Sequence, residues 1–163
     1  MHILGIDPGF AKMGWGIVDE SKSTLKKIDY GCFETKVGLA PSDRLYKLHS
    51  FLLSLLKKHP VDILAIEEIY FATNAKTAIS VGQARGAILL TAAQAKIPVA
   101  SYTPLQIKQS ITGYGQAEKR QIQVLVKAIL NLPSLPQPDD ASDALAVAIT
   151  HAFSYKLLRK IKQ

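Results

Sequence analysis

Apolar residues along the chain follow two periods, one typical of buried strands and one typical of amphipathic helices. The run Ile-Leu-Gly-Ile at 3–6 is short and apolar, whereas leucines between Ser42 and His59 recur at helical spacing. Turn residues such as the Pro-Gly pair at 8–9 separate these segments. In chain order the pattern predicts strands 3–6, 14–18 and 25–35, helix 42–59, strand 61–67, helix 73–96, strand 97–102, and helices 104–111, 118–130 and 139–158.

Three strands followed by alternating helices and strands predict an α/β fold, with a five-stranded mixed sheet and helices on both faces. We expect a single domain over residues 1–163, with 156–163 as a basic and frayed helix tail. In such sheets ligands bind at the carboxyl ends of parallel strands. Asp7 and Glu67 each end a predicted strand, so they lie side by side if those strands are parallel neighbours.

Charge and cysteine content narrow the class of protein. Twenty Lys and Arg against thirteen Asp and Glu give a net charge of +7, which favours a polyanionic partner such as nucleic acid. Cys32 is the only cysteine, which excludes an intrachain disulfide and suggests a reducing compartment. No apolar run approaches the ~20 residues needed to span a bilayer, and the first residues lack a signal peptide's pattern. We therefore expect a cytoplasmic protein without a membrane partner.

Four carboxylates stand out against this basic background: Asp7, Glu67, Asp140 and Asp143. Acids at the ends of buried strands are costly unless a cation lies among them. Asp140 and Asp143 are three residues apart, so a helix places them on one face. Oxygen ligands alone suit Mg²⁺ or Mn²⁺, and two such ions can support phosphodiester cleavage.

Each acid also has a simpler interpretation. Asp7 can cap the Pro-Gly turn, and an aspartate after Pro138 can be a helix N-cap, a role that we assign to Asp139. Periodicity does not separate Glu67 from its neighbour Glu68, for which we expect a solvent-facing position. The coincidence of all four acids favours the metal site over these separate roles.

Four motifs occur in order along the chain and carry a resemblance to a known family. They are Gly-Ile-Asp-Pro-Gly at 5–9, Ala-Ile-Glu at 65–67, Val-Gly-Gln-Ala-Arg-Gly at 81–86 and Asp-Ala-Ser-Asp-Ala-Leu-Ala-Val-Ala-Ile-Thr-His at 140–151. Together they resemble the RuvC family of Holliday-junction resolvases. The resemblance implies a ribonuclease-H-like fold and a homodimer that nicks two opposed strands of a four-way DNA junction, leaving 5′-phosphate and 3′-hydroxyl ends. It also implies cooperation with a junction-migrating motor complex in recombination and repair.

The resemblance also implies roles for individual residues. The acidic positions match Asp7, Glu67, Asp140 and Asp143, as ligands of Mg²⁺ or Mn²⁺ with two ions per site. Lys119 is implied as a catalytic and DNA-binding lysine, and Lys108 as a second DNA-binding lysine; a solvated helix face is the alternative for both. We add Arg120 as a DNA contact. Tyr70 resembles the family's junction-stacking aromatic, with packing under its loop as the alternative. The helix from Thr73 is implied as the dimer interface, and Arg85 can serve that interface or the DNA.

Other classes share parts of the pattern. An actin-like ATPase also has Gly-Ile-Asp-x-Gly after its first strand, but that fold needs two domains and 163 residues are too few. Four intact acids argue against a junction-binding module that has lost its activity. A related nuclease that acts on RNA keeps the same fold and stays open at this point.

Overall fold

A mixed sheet forms the centre of the computed structural model, which describes residues 1–21, 24–69 and 75–161. Over these residues the sheet has five strands in the order β3-β2-β1-β4-β5. Strands β1, β4 and β5 are parallel, whereas β1 with β2 and β2 with β3 are antiparallel. The strands are β1 (His2–Asp7), β2 (Lys12–Ser21), β3 (Thr24–Glu34), β4 (Ile63–Glu67) and β5 (Val99–Tyr102).

Helices cover both faces of the sheet, so the predicted α/β architecture is confirmed. They are α1 (Pro41–Lys58), α2 (Ala75–Gln94), α3 (Pro104–Thr112), α4 (Lys119–Ile129) and α5 (Asp139–Ile161). Helices α1 and α2 pack on the face that carries Leu4 and Ile66, while α3, α4 and α5 pack on the face that carries Ile3 and Ala65. Each face therefore has its own apolar core, separated by the sheet. No described helix has the length and apolar character needed to cross a membrane.

Several predicted boundaries shift for local reasons. The predicted strand 97–102 begins only at Val99, because Pro98 has no N–H with which to join a ladder. The predicted helix 73–96 ends at Gln94, and Lys96 has a left-handed φ of 57° that cannot continue a helix. Its predicted start at Thr73 lies outside the described residues. Helix α5 continues to Ile161, beyond the predicted end at 158.

Close contact between α5 and the sheet is possible because the sheet has glycines where the helix crosses it. A Cβ on Gly5 would collide with the backbone oxygen of Ala144 and lie 2.7 Å from the backbone nitrogen of Ala148. A Cβ on Gly14 would collide with the backbone oxygen of Asp140. Since Ala144 and Ala148 are fully buried and small, the helix backbone lies almost directly on the strands. This contact places the start of α5 over the ends of β1 and β2.

We predict that Gly5→Ala destabilises the protein more than Gly16→Ala. At Gly5 the new methyl group meets helix backbone, whereas at Gly16 its closest neighbours are Cδ2 and Cγ of the Leu145 side chain, at 2.7 and 2.8 Å, and a side chain can shift more easily than helix backbone. Overpacking costs ~1–3 kcal/mol where side chains can yield, and we expect ~3 kcal/mol or more for Gly5→Ala. Urea unfolding of both variants measures this difference. Equal losses of unfolding free energy in the two variants would show that the α5 backbone does not lie against Gly5 as described.

Candidate active site

The sheet brings the acids of two strands to one edge. Strands β1 and β4 are parallel with Ile6 opposite Ile66, so Asp7 and Glu67, one residue further on, lie next to each other. Residues at alternate positions of β4 face opposite sides, and Ala65 contacts the core under α5. Glu67 therefore faces α5, whereas Glu68 lies beyond the strand and is exposed. The preference for Glu67 agrees with this geometry.

Helix α5 contributes the other two acids. Asp7 is paired across the sheet with Gly14, and the backbone of Asp140 lies directly against Gly14. Asp143 follows one turn later on the same helix. The Cys32 thiol lies 4.0 Å from the Asp140 carboxylate, because Cys32 is the partner of Gly14 in β3. The acidic cluster (Asp7, Glu67, Asp140 and Asp143) thus combines β1, β4 and α5.

Burial and mutual repulsion raise the pKa of two of these acids. The pKa of Asp7 rises from 3.8 to about 7, mainly through burial. The charge of Glu67 raises this pKa further, followed by those of Asp143 and Asp140. The pKa of Glu67 also rises to about 7, first through burial and then through the charge of Asp143. Because the charges of Glu67, Asp143 and Asp140 all raise the pKa of Asp7, the four acids form one electrostatic unit.

Lys119 lies among the acids and partly compensates their charge. Its Nζ donates to Asp143 Oδ2 at 2.9 Å and lies 3.7 Å from Asp139 Oδ2. Partial burial lowers the pKa of Lys119, but the hydrogen bond and charge of Asp143 more than offset this and the net shift is upward. Burial raises the pKa of Asp143, with Lys119 acting in the opposite direction. Lys119 therefore stays positively charged at the site.

A pocket of about 270 Å³ opens beside this ion pair, and we call it the central pocket. Its charged lining consists of Glu67, Lys108, Lys119 and Asp143, and its apolar lining of Pro104, Ile107, Ile122 and Ala146. The positive charge of Lys108 lowers the pKa of Glu67, which places this lysine within electrostatic reach of the acids. The structure thus brings both predicted lysines to the acidic cluster.

Other predicted residues lie elsewhere. Arg120 is exposed and lines a separate pocket with Tyr114 and Val124. Tyr70 lies outside the described residues. Arg85 donates from Nη2 to Ser101 Oγ at 2.8 Å, so the guanidinium binds β5 of its own chain.

The prediction that Asp139 is a helix N-cap is wrong. Helix α5 begins at Asp139 itself, and the backbone oxygen of Pro138 accepts from Ala141 and Ser142. The Asp139 carboxylate instead accepts from the Gln123 side chain at 2.9 Å. Gln123 was missed, although a polar residue beside Ile122 on the apolar side of α4 is a usable signal. This hydrogen bond joins the start of α5 to α4.

Metal binding can be judged from the donor set. Among the described residues no three acid, histidine or cysteine side chains are already spaced as a formed metal cage. The donors nevertheless suit a hard divalent cation, because they are carboxylates that repel one another and resist ionisation in their buried positions. A bound cation would remove that penalty. The acidic cluster fits a metal centre by its chemistry.

Comparison with known proteins gives consistent matches over nearly the whole chain. The family model described as "Crossover junction endodeoxyribonuclease RuvC" matches residues 3–151. Proteins of that name from Roseiflexus sp. (strain RS-1) and Desulforamulus reducens are 48% and 52% identical, covering 98% and 93% of this chain and 95% and 93% of their own lengths. The Thermus thermophilus RuvC structure superposes with a TM-score of 0.88 at 33% identity, covering 96% of both chains. The same bacterium's RuvC in complex with Holliday junction substrate matches with a TM-score of 0.88 at 31% identity. The expected ribonuclease-H-like fold is confirmed.

We predict that Asp7→Asn stabilises the protein at alkaline pH when divalent metal is chelated. The Asp7 pKa is about 7 in the folded state against 3.8 ordinarily, so the folded protein keeps a proton that the unfolded chain loses. The penalty is absent below about pH 4, grows as pH rises, and is complete above about pH 7. Asparagine removes it, with an expected gain of ~1–3 kcal/mol at pH 8 and little gain near pH 4.

Urea unfolding in a chelator at both pH values measures this effect. Asp43→Asn is the matched control, since Asp43 is exposed in the first turn of α1 and should give no such gain at pH 8. If Asp7→Asn were destabilising at pH 8, the proposed repulsion at Asp7 would be wrong.

Proposed function

This chain belongs to the RuvC family of crossover junction endodeoxyribonucleases, and we propose on that basis that it resolves four-way (Holliday) DNA junctions in recombination and repair. It nicks two opposed strands symmetrically and leaves 5′-phosphate and 3′-hydroxyl ends. The meeting of four carboxylates from β1, β4 and α5 at one edge of the sheet supports this proposal most directly. The related Thermus thermophilus protein in complex with Holliday junction substrate supports the choice of DNA.

The acidic cluster holds two divalent cations in this proposal, Mg²⁺ with Mn²⁺ as a substitute. Asp7, Glu67, Asp140 and Asp143 are the ligands, because they are buried or half-buried oxygen donors that influence one another's ionisation. When bound, such ions supply an activated water and stabilise the leaving oxygen. Two raised carboxyl pKa values near 7 imply that cation binding releases protons at neutral pH.

Lys119 supports the reaction as a positively charged side chain beside the acidic cluster. Its ammonium is held by Asp143 at 2.9 Å and lines the central pocket, so it is a fixed positive charge next to the acids. A charge positioned in advance stabilises the negative charge that develops on a phosphate during cleavage. Lys119 is therefore the fifth catalytic residue.

Binding of the DNA backbone falls to basic residues around the central pocket. Lys108 and Lys119 line it and hold phosphates close to the reaction. Arg120, on the exposed start of α4, contacts the backbone further away. Tyr70, at a position outside the described residues, stacks on an unpaired base near the crossover.

A homodimer suits this substrate because a two-fold assembly presents two identical sites to two symmetric strands. Helix α2 provides the interface, as it exposes Ile79 and Leu90 by 67% and 59% and carries small residues such as Gly82 and Gly86. Whether Arg85 serves this interface or the DNA stays open, and its Nη2 donates to Ser101 Oγ at 2.8 Å. The 163 residues act as one nuclease domain, which a junction-migrating motor complex assists.

We predict that the purified protein nicks a four-way junction in Mg²⁺ or Mn²⁺ and leaves linear duplex of the same sequence largely uncut. The physical reason is that two linked sites can engage two opposed strands only in a branched substrate. Gel separation of end-labelled strands measures the nicks on both arms. Equal cutting of junction and duplex would contradict the junction assignment.

We also predict that Glu67→Gln lowers single-turnover cleavage by a factor of ~10²–10³ or more, because it removes an oxygen charge from the cluster. Glu68→Gln is the matched control on the adjacent residue. Glu68 is exposed and lies beyond the strand end, so its variant should cut at the wild-type rate. Junction binding in chelator should persist in both variants. Similar losses of cleavage rate in both variants would contradict the assignment of Glu67, rather than Glu68, to the face that carries the site.

A further inference from the structure

An exposed ion pair lies at the edge of the sheet that carries the acidic cluster, and the reaction described above does not use it. Lys12 begins β2 and Glu34 ends β3, and the two residues are opposite each other in the antiparallel ladder. Lys12 Nζ donates to Glu34 Oε1 at 2.8 Å, and each side chain is 54% exposed. Exposed ion pairs contribute little to stability, so the fold alone does not explain this one.

The ion pair flanks the acidic cluster on the side away from the central pocket. Strand β4 carries Glu67, which lines the central pocket with Lys119, whereas β2 and β3 lie on the other side of β1. The hydrogen bond and charge of Glu34 are the main causes of a raised pKa of Lys12, and the charge of Asp140 adds to them. Lys12 is therefore within electrostatic reach of the acids, on a different flank from Lys119.

Backbone contacts hold the start of β2 in place. The Thr35 backbone nitrogen donates to the backbone oxygen of Ala11 at 2.9 Å, which joins the end of β3 to the residue before Lys12. A Cβ on Gly9 would collide with the Lys12 backbone oxygen, so the turn after β1 lies closely against it. These contacts fix the backbone only, and the Glu34 carboxylate holds the ammonium group. A competing anion can therefore take the ammonium group without any change in the strand.

The groove beside the ion pair is basic. It has a volume of about 650 Å³, and its charged lining consists of Glu34, Lys36 and Lys47. Glu34 is the one acid among the described residues that line this groove, and Lys12 offsets its charge. Lys12, Lys36 and Lys47 together place positive charge next to the acidic cluster, which suits the phosphate backbone of DNA.

We infer that Lys12 binds a backbone phosphate of the junction on this flank, and that Glu34 competes with that phosphate by holding Lys12 in the free protein. An ammonium group on a flexible stem can exchange a carboxylate for a phosphate with little movement. With Lys108 and Lys119 on the other flank, phosphates on both sides of the acidic cluster are then held. The inference rests on the proposed function, since it assumes that junction DNA crosses the acidic cluster.

The test measures the affinity of the full-length protein for a four-way junction in chelator over a range of salt concentrations. We expect Lys12→Gln to weaken binding about fivefold and to lower the salt slope by about one, because one phosphate contact is lost. Glu34→Gln should strengthen binding about twofold or more, because the competing carboxylate is removed. Lys12→Arg should keep the wild-type slope, since a guanidinium group also binds phosphate.

The double variant with both Lys12→Gln and Glu34→Gln separates phosphate binding from simple masking of charge. It has the same net charge as the wild-type protein, so a lysine that only neutralises Glu34 predicts wild-type affinity and slope. A lysine that binds phosphate predicts the lowered slope of the single Lys12→Gln variant. A wild-type slope in the double variant would overturn the inference.

Lys26→Gln is the matched control. Lys26 is an exposed lysine of β3 that is paired with Asp19, towards the other end of β2 from Lys12. Its variant loses the same charge far from the acids and should keep the wild-type slope. Equal falls in the slope for Lys26→Gln and Lys12→Gln would reduce the effect to net charge and contradict the role of Lys12. Thermal unfolding verifies that each variant is folded.

The remaining outcomes separate the inference from the proposed function. If the wild type binds and nicks the junction and Lys12→Gln keeps its slope, the role of Lys12 is overturned while the proposed function stands. If Glu34→Gln binds no more tightly than the wild type, the competition by Glu34 is overturned. If the wild type neither binds nor nicks the junction, the proposed function fails and the inference fails with it.

Discussion

The direct contact between α5 and the glycine-bearing strands is the constraint on which the rest of the structure depends. Gly5 and Gly14 leave no room for a Cβ, and small buried alanines on α5 complete the fit. Helix and sheet thereby approach more closely than side chains would normally allow, and Asp140 lies over the strand end that carries Asp7. A longer side chain at this contact would move α5 away from the strands and so separate Asp140 from Asp7. The same close contact therefore packs α5 against the sheet and brings the carboxylates together.

The acidic cluster destabilises the folded state electrostatically, and the proposed cation site would explain why the protein retains it. Burial and like charges hold the pKa values of Asp7 and Glu67 near 7, and Lys119 relieves only part of that repulsion. A polar site that destabilises the free protein is a common compromise between stability and activity. The same unfavourable interactions become favourable once divalent charge lies among the carboxylates. The cluster is thus best understood as a site whose stability depends on its ligand.

Sequence periodicity predicted the order of the elements, because the central strands are short continuous apolar runs and helices such as α1 and α4 have one clear apolar side. Periodicity did not separate Glu67 from Glu68. Adjacent residues at a strand end point to opposite faces of the sheet, and only the position of α5 decides which of those faces carries the site. Asp139 was misassigned for a similar reason. Its partner Gln123 lies on another helix, and local capping rules do not include tertiary contacts. Arg120 is adjacent to Lys119 in sequence but turns away from the central pocket, as a helix rotates ~100° per residue.

Charge alone cannot explain how such a site selects a place to cut. In the proposed function, lysines near the acids bind phosphates, which every DNA sequence presents equally, so these lysines fix position and not sequence. Selection of a branched substrate instead falls to the geometry of the proposed dimer, whose two identical sites can engage two opposed strands at once.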